Sequence, residues 1–383
     1  MTTTEIKTIM PGGGGDYTSL NAWDLAERAN TYPTIPNGDL VAADKIKVAE
    51  VYGTGNCLTG TIPFSAGWTT DTTHYLEIRA AAGHKHTGVW STSKAYGSTA
   101  GLGISTSTVD MHITGMQLEC TANGEYTDPA LSIGNKVVVV DSCIIRIASS
   151  AGGASASNVV LASHATLATL KNCVIINEAL TPAPNYGIVN LYGTMTLYNN
   201  TIVSLSSSSQ AIVMGGGSGT LNSQNNYYRA NSIYVNQGGA TLNKGANDAT
   251  SNTEAVTANL RSVPYSTATF YDITSGSENL RLVVSPSNKL LDNGANLTSL
   301  GITYDIVGTA RPQSSAFDIG AFENDIPICW NYTARYKNSS KLFKVSGCGS
   351  FPGSLNVPEN VDKSTGRMVD DGIEIDPDNY NVA

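Results

Sequence analysis

The chain has 383 residues, of which 14% are charged, against roughly 25% in an ordinary soluble domain. Its formal net charge is −9 and no run of Lys or Arg exceeds two, which excludes nucleic-acid binding by phosphate neutralisation as an expectation. No stretch of about 18 apolar residues occurs, so no membrane insertion is expected.

Residues 1–34 read as a lead-in and a capping helix. The opening Met1–Lys7 lacks the basic and apolar regions of a secretory leader, so export by that route is not expected unless a leader has been removed. The run Gly12–Gly15 is followed by no Gly-Lys-Ser/Thr and reads as a flexible lead-in, not a phosphate loop. Ser19 suits the N-cap of a helix from Leu20 to Ala29, which puts Trp23 on one face with Leu20 and Ala26 or Glu27. Trp23 is expected to plug the first coil of the repeat that begins near residue 35.

Residues 35–265 carry an internal repeat. Val139-Val140-Asp141-Ser142-Cys143-Ile144-Ile145 matches Thr169-Leu170-Lys171-Asn172-Cys173-Val174-Ile175, and then Thr196-Leu197-Tyr198-Asn199-Asn200-Thr201-Ile202. Weaker copies stand at His112–Leu118 and at Leu221–Tyr227, the latter open to more than one register. Each copy is a short apolar strand, a polar corner, a small residue and a second strand. A period of 27 to 30 residues without a helix is one turn of a β-solenoid, whose coils bury their apolar faces only by stacking. The expected fold is therefore all-β, a right-handed parallel β-helix, with roughly nine coils in a rod of about 40 Å. Stacking puts Cys143 over Cys173 as buried thiols in preference to a disulfide. It also brings Asn172 and Asn199 together at one corner, where asparagines can hydrogen-bond along the stack.

With Cys143 and Ile145 inward, Ile144 and Arg146 face outward. Glu119 then lies one coil from Arg146, as a surface ion pair worth less than about 1 kcal/mol. The same row continues as Ile176 and Val203, an apolar stripe that points to contact with another protein surface, such as a neighbouring copy. His84 and His86 would share a face if 82–87 were a strand, but no third ligand is near. Metal binding is not expected, nor is any cofactor. No Gly-x-Ser-x-Gly, HExxH or paired-acid motif occurs. The six cysteines include no CxxC; Cys329 and Cys348 are close enough in sequence to pair, though free thiols are favoured.

Residues 266–326 read as closing coils. They contain Ser285-Pro286-Ser287-Asn288-Lys289-Leu290-Leu291-Asp292-Asn293-Gly294, then Asp305–Gln313, then Phe317-Asp318-Ile319-Gly320-Ala321-Phe322-Glu323. Gly308 and Gly320 permit tight turns, and Arg311 can pair with Asp305, Asp318 or Glu323, all in structural roles. Residues 327–383, with Trp330 near their start, are turn-rich and too short for a sizeable core, and read as an attachment or assembly module.

The three-part run resembles the end of bacterial right-handed parallel β-helix proteins that close on an Asp-Ile-Gly-Ala-Phe/Tyr-Glu motif, a group mixing adhesins, polysaccharide-active enzymes and viral proteins. The tail, the Gly-rich start and Asp16–Trp23 resemble parts of tailed-bacteriophage virion proteins. That resemblance implies a non-enzymatic virion component, a head-decoration protein or fibre, assembled in the host cytoplasm. Its partners would be other virion proteins of capsid or tail, and host-surface polysaccharide. It also implies a homo-oligomer, with a trimer by analogy with virion spikes. One alternative is a tailspike-like depolymerase, lyase or glycosidase, drawing its acids from loops such as Glu178–Asn185 or Ala148–Ser157. Another is a secreted, cell-surface adhesin of the same fold.

Overall fold

Strands of two to seven residues, alternating apolar and polar, stack through residues 3–262 of this computed structural model. It describes residues 2–324 except 30–37, 65–66, 107, 122–128, 149–158, 180–184, 191, 216–218, 237–238, 245–246, 252–259, 286 and 315. Beyond 324 it describes the backbone at 329–336, 342–348, 361–362, 367–368 and 373–375.

The strands form three parallel sheets of nine, eight and seven members, and each coil visits them in turn. In one coil, Val137–Asp141 belongs to the first sheet, Ile144–Ile147 to the second and Val159–Ser163 to the third. The chain is thus an all-β parallel β-helix. Every second residue points inward, so Ile113, Val140, Leu170 and Leu197 form one column in register and Leu118, Ile145, Ile175 and Ile202 another. All eight are fully buried. Nine strands at about 4.8 Å per step give a rod of about 40 Å.

The corner from the first sheet to the second is built the same way in coil after coil. Gly115, Ser142, Asn172, Asn199, Asn225 and Asn247 hold it, each with φ between 51° and 70°. This left-handed region is open to glycine and tolerated by asparagine, which explains the recurrence. The next residue turns inward, so Met116, Cys143, Cys173, Asn200, Asn226 and Asp248 form a single buried column. Cys143 and Cys173 are stacked and free, and burial raises the Cys173 thiol well above its ordinary range.

The hydrogen-bonded asparagine ladder belongs to this column, one position after the residues expected to make it. Asn200 Nδ2 donates to Asn226 Oδ1 at 2.9 Å and to the Leu170 carbonyl at 2.9 Å, and Asn226 donates to Asp248 Oδ1 from its backbone amide at 2.7 Å and from Nδ2 at 3.3 Å. Asn172 and Asn199 supply backbone conformation instead. Neither Asn199 side-chain polar atom, nor Asn172 Oδ1, meets a hydrogen-bond partner among the described residues.

The front of the rod differs from expectation in one element. Thr3–Ile9 is already a strand of the first sheet, paired in parallel with Lys45–Val51. The helix Leu20–Ala29 comes next, its Ala22 amide capped by Ser19 Oγ at 3.1 Å. Trp23 is fully buried with Leu20, stacked on Trp68 and edge-on to Phe64. Glu27 lies on the same face and pairs with Lys47.

Residues 263–323 add no strand to the three sheets among the described residues. They form an antiparallel hairpin, Phe270–Asp272 with Asn279–Leu282, succeeded by turns that run along the outside of the second sheet. Arg281 donates to the Thr87 carbonyl at 2.8 Å near one end of this strap. Asn225 exchanges two 2.8 Å hydrogen bonds with Ala295 near the other. Thr87 lies in a long loop that leaves the third coil and reaches the fifth, where His86 bonds Ser142, so the strap covers the second sheet from Ile144 on the fifth coil to Tyr227 on the eighth.

A second compact unit comprises residues 284–287 and 324–383. Its three-stranded antiparallel sheet has Cys329–Tyr336 between Leu342–Cys348 and Ile373–Ile375, with Cys329 and Cys348 register partners. Trp330 faces Gly347 in that register, and its side chain lies outside the described residues.

Candidate functional site

The outer row of the second sheet runs Ser98, Glu119, Arg146, Ile176, Val203, Arg229 in strict register. Its middle is apolar and its first part charged. Ile176 and Val203 are buried, with Ile144 and Val174, against the strap's Phe270, Leu280, Leu282, Ile306, Ile319 and Phe322. The stripe that the sequence assigned to another protein surface is thus covered by the chain's own residues. Sequence spacing showed the stripe but not its cover, because the strap carries no repeat.

The charged part becomes a closed seam. Arg146 reaches Glu119 at 2.6 Å and Glu178 at 3.6 Å, with its guanidinium 4.1 Å from the centre of the Trp90 ring. Ser98 Oγ donates to the second Glu119 oxygen at 2.9 Å. This is no surface pair: Arg146 and Glu119 are each 11% exposed and Glu178 only 2%. From the strap, Ser275 Oγ donates to Glu178 at 3.3 Å and the Gly276 amide to Glu278 Oε2 at 3.1 Å. Glu278 is buried, and its Oε1, like the Tyr265 hydroxyl, meets no hydrogen-bond partner among the described residues. Burial, and then the charge of Glu178, push the Glu278 carboxyl up to about 7. Burial likewise raises the Tyr265 hydroxyl, whose ring lies 5.9 Å from the Arg229 guanidinium.

Of these groups, sequence reading named Glu119 and Arg146, and Glu178 only as the head of a loop whose 180–184 lie outside the described residues. Residues 149–157 of the other loop lie outside them too. Trp90, Tyr265 and Glu278 were missed. Glu278 stands 100 positions from Glu178, and no motif joins them. The one local sign was the pair of charges, Glu119 and Arg146, next to the apolar Ile176 and Val203 of the same row.

The closing motif is a network of buried structural contacts. Arg311 pairs with Glu323 at 3.0 Å and donates to the carbonyls of Asp318 and Gly320 at 3.1 and 2.9 Å. Asp305 accepts the amides of Val307, Gly308 and Thr309 on one oxygen and that of Glu323 on the other. Asp318 accepts the Asp292 amide. Gly320 has φ 103°, and a Cβ there would sit 2.8 Å from Thr201 Oγ1 on the second sheet.

His84 and His86 serve backbone groups. Residues 82–87 form a turn, not a strand. His84 Nδ1 accepts the Gly53 amide at 3.1 Å, while His86 Nε2 donates to the Ser142 carbonyl at 2.8 Å. Burial depresses His86 to about 4, so it stays neutral. No cluster of three metal-ligating side chains is found among the described residues. A further buried acid, Asp248, ends the inward column. It accepts from Ser223 Oγ and from Tyr234 at 3.1 Å, and burial pushes it up to about 6.

Comparison with protein-family models, with curated proteins and with solved structures found no match. The class of protein therefore rests on architecture: a parallel β-helix whose second sheet is sheathed by its own strap.

Proposed function

We propose that the chain is a non-enzymatic structural component of a tailed-phage particle, a head-decoration protein or fibre. Its solenoid would serve as a rigid body and residues 327–383 as the attachment module. The observation that carries this reading is the use of the outer acids. Glu119 and Glu178 are tied to Arg146, Glu323 to Arg311, and Asp305 and Asp318 to backbone amides, all in closed packing. Such an arrangement supports rigidity, whereas hydrolysis of a glycan needs two carboxyls on either side of an accessible bond. The closing motif and the tail resemblance support the virion assignment and the host cytoplasm as the place of assembly. Other virion proteins are the proposed partners, with host glycan as a secondary one and self-association as a homo-oligomer.

The test is gold-labelled antibody against the chain, applied to particles from a producing culture and imaged by electron microscopy. Label at regular positions on heads or tails is expected. Label confined to particle-free protein, or to bacterial envelopes as for a surface adhesin, overturns the reading.

A depolymerase is the second reading, favoured by one observation, the buried Glu178 and Glu278 carboxyls with one raised to about 7. It requires the strap to lift and admit substrate. Reducing-sugar or unsaturated-product release from host capsule, lost in Glu278→Gln, would establish it.

A further inference from the structure

We infer that the hairpin 270–282 is a proton-dependent latch: the strap stays seated on the second sheet because one proton is retained among the buried carboxyls of the seam. The inference is independent of the virion reading.

Four charged groups meet in the seam. Glu119 and Arg146 come from the second sheet, Glu178 from the loop after it, and Glu278 from the strap. Arg229, at the far end of the row, donates to the Ser204 carbonyl and faces Tyr265. Asp272 lies on the hairpin's open side, held by the Thr274 amide at 2.8 Å. Arg146 already engages Glu119 and Glu178, and the turn that carries Glu278 meets Glu178 through Ser275, so among the described residues three carboxyls share one guanidinium in this seam. With all three ionised, the seam would hold uncompensated negative charge away from water, which is costly. A proton on Glu278 removes the excess. It also removes the cost of a buried charge at an Oε1 that meets no hydrogen-bond partner among the described residues.

The strap carries Glu278 and the sheet side carries Glu178 and Arg146, so the proton's affinity is coupled to docking. A lifted strap returns Glu278 to water and to the ordinary glutamate range. A seated strap holds it at about 7, through burial first and Glu178 second. Docking is strongest at acid pH, weakens by as much as tenfold per unit as pH rises toward 7, and levels off above it. Lifting would uncover Ile144, Val174, Ile176 and Val203, the apolar outer row.

Hydrogen exchange of the whole protein, read by mass spectrometry between pH 5 and 8.5 and corrected for intrinsic rates, tests this. In the wild type, protection of the 270–282 amides should fall up to about 100-fold from pH 5 to 8. In Glu278→Gln the strap should stay protected at every pH. Wild-type protection that is flat with pH, or an equal fall in the variant, overturns the latch. If Glu278→Gln is unprotected throughout, Glu178→Gln decides: an inflection moved to lower pH supports the latch, and an unmoved one overturns it.

Discussion

A single backbone conformation, repeated in the six coils from Gly115 to Asn247, sets the path of the chain from the first sheet to the second. Asn199 holds φ 51° with no side-chain hydrogen-bond partner among the described residues, so its value lies in the backbone alone. Asn199→Gly should therefore change stability by a few tenths of a kcal/mol, while Asn199→Ala should cost about 1 kcal/mol, both read by thermal melts. Gly320 is the stricter case, because its positive φ coincides with the close approach to Thr201. Gly320→Ala is expected to cost about 1–3 kcal/mol and to loosen the closing motif. Asp248 behaves differently with pH. Its folded carboxyl is raised to about 6, so the native state takes up a proton between the ordinary aspartate range and 6. The stability this proton gives is lost as pH rises through that window, and the loss is complete above it. Asp248→Asn would extend the amide ladder without a charge, and should raise stability at pH 8 by about 1–2 kcal/mol while giving no gain at pH 4. Equal melting temperatures of the two proteins at pH 8 would show that the ladder does not favour the neutral group.

At the scale of elements, the coils were legible and the strap was not. Period and parity located the stacked strands, the placing of Cys143 over Cys173, and the inward column, because apolar alternation is imposed locally by the pleat. The asparagine ladder was misplaced by one residue, since the left-handed corner and the inward position are neighbours of the same residue type in Asn199-Asn200. Which of the two hydrogen-bonds depends on where each side chain points. The strap escaped notice because its apolar residues, from Phe270 to Phe322, are scattered among turns without period and gain meaning only against Ile176 and Val203. The Glu119–Arg146 pair was placed correctly in register and undervalued, because nothing local to it reveals the cover. Packing predicts the strength of that cover: Phe322→Ala should cost about 3–5 kcal/mol and speed exchange at 270–282 in the same experiment. Arg311→Ala should cost a similar amount, as it strands Glu323.

For the solenoid unit as a whole, the strap changes how unfolding proceeds. Stacked coils without cross-links fray from their ends, each step costing only a neighbour interface. Here one segment grips Thr87, whose loop reaches the fifth coil, and Asn225 on the eighth, so the coils between the fifth and the eighth cannot peel away singly. Calorimetry should record a single transition for this unit, and Phe322→Ala should broaden it or split it in two. The spacing between sheets has a different consequence. Passage from the first sheet to the second takes two residues at Asp141 to Ile144, Lys171 to Val174, Tyr198 to Thr201 and Gln224 to Tyr227. The link from the second sheet to the third stretches from 230–231 to 148–158 without altering the pairing on either side. One edge of the rod keeps time and the opposite edge is free to vary. Foreign peptides grafted into the variable links would be displayed at a fixed pitch, like flags along a mast, and a single residue inserted at a two-residue corner would put every later side chain out of step.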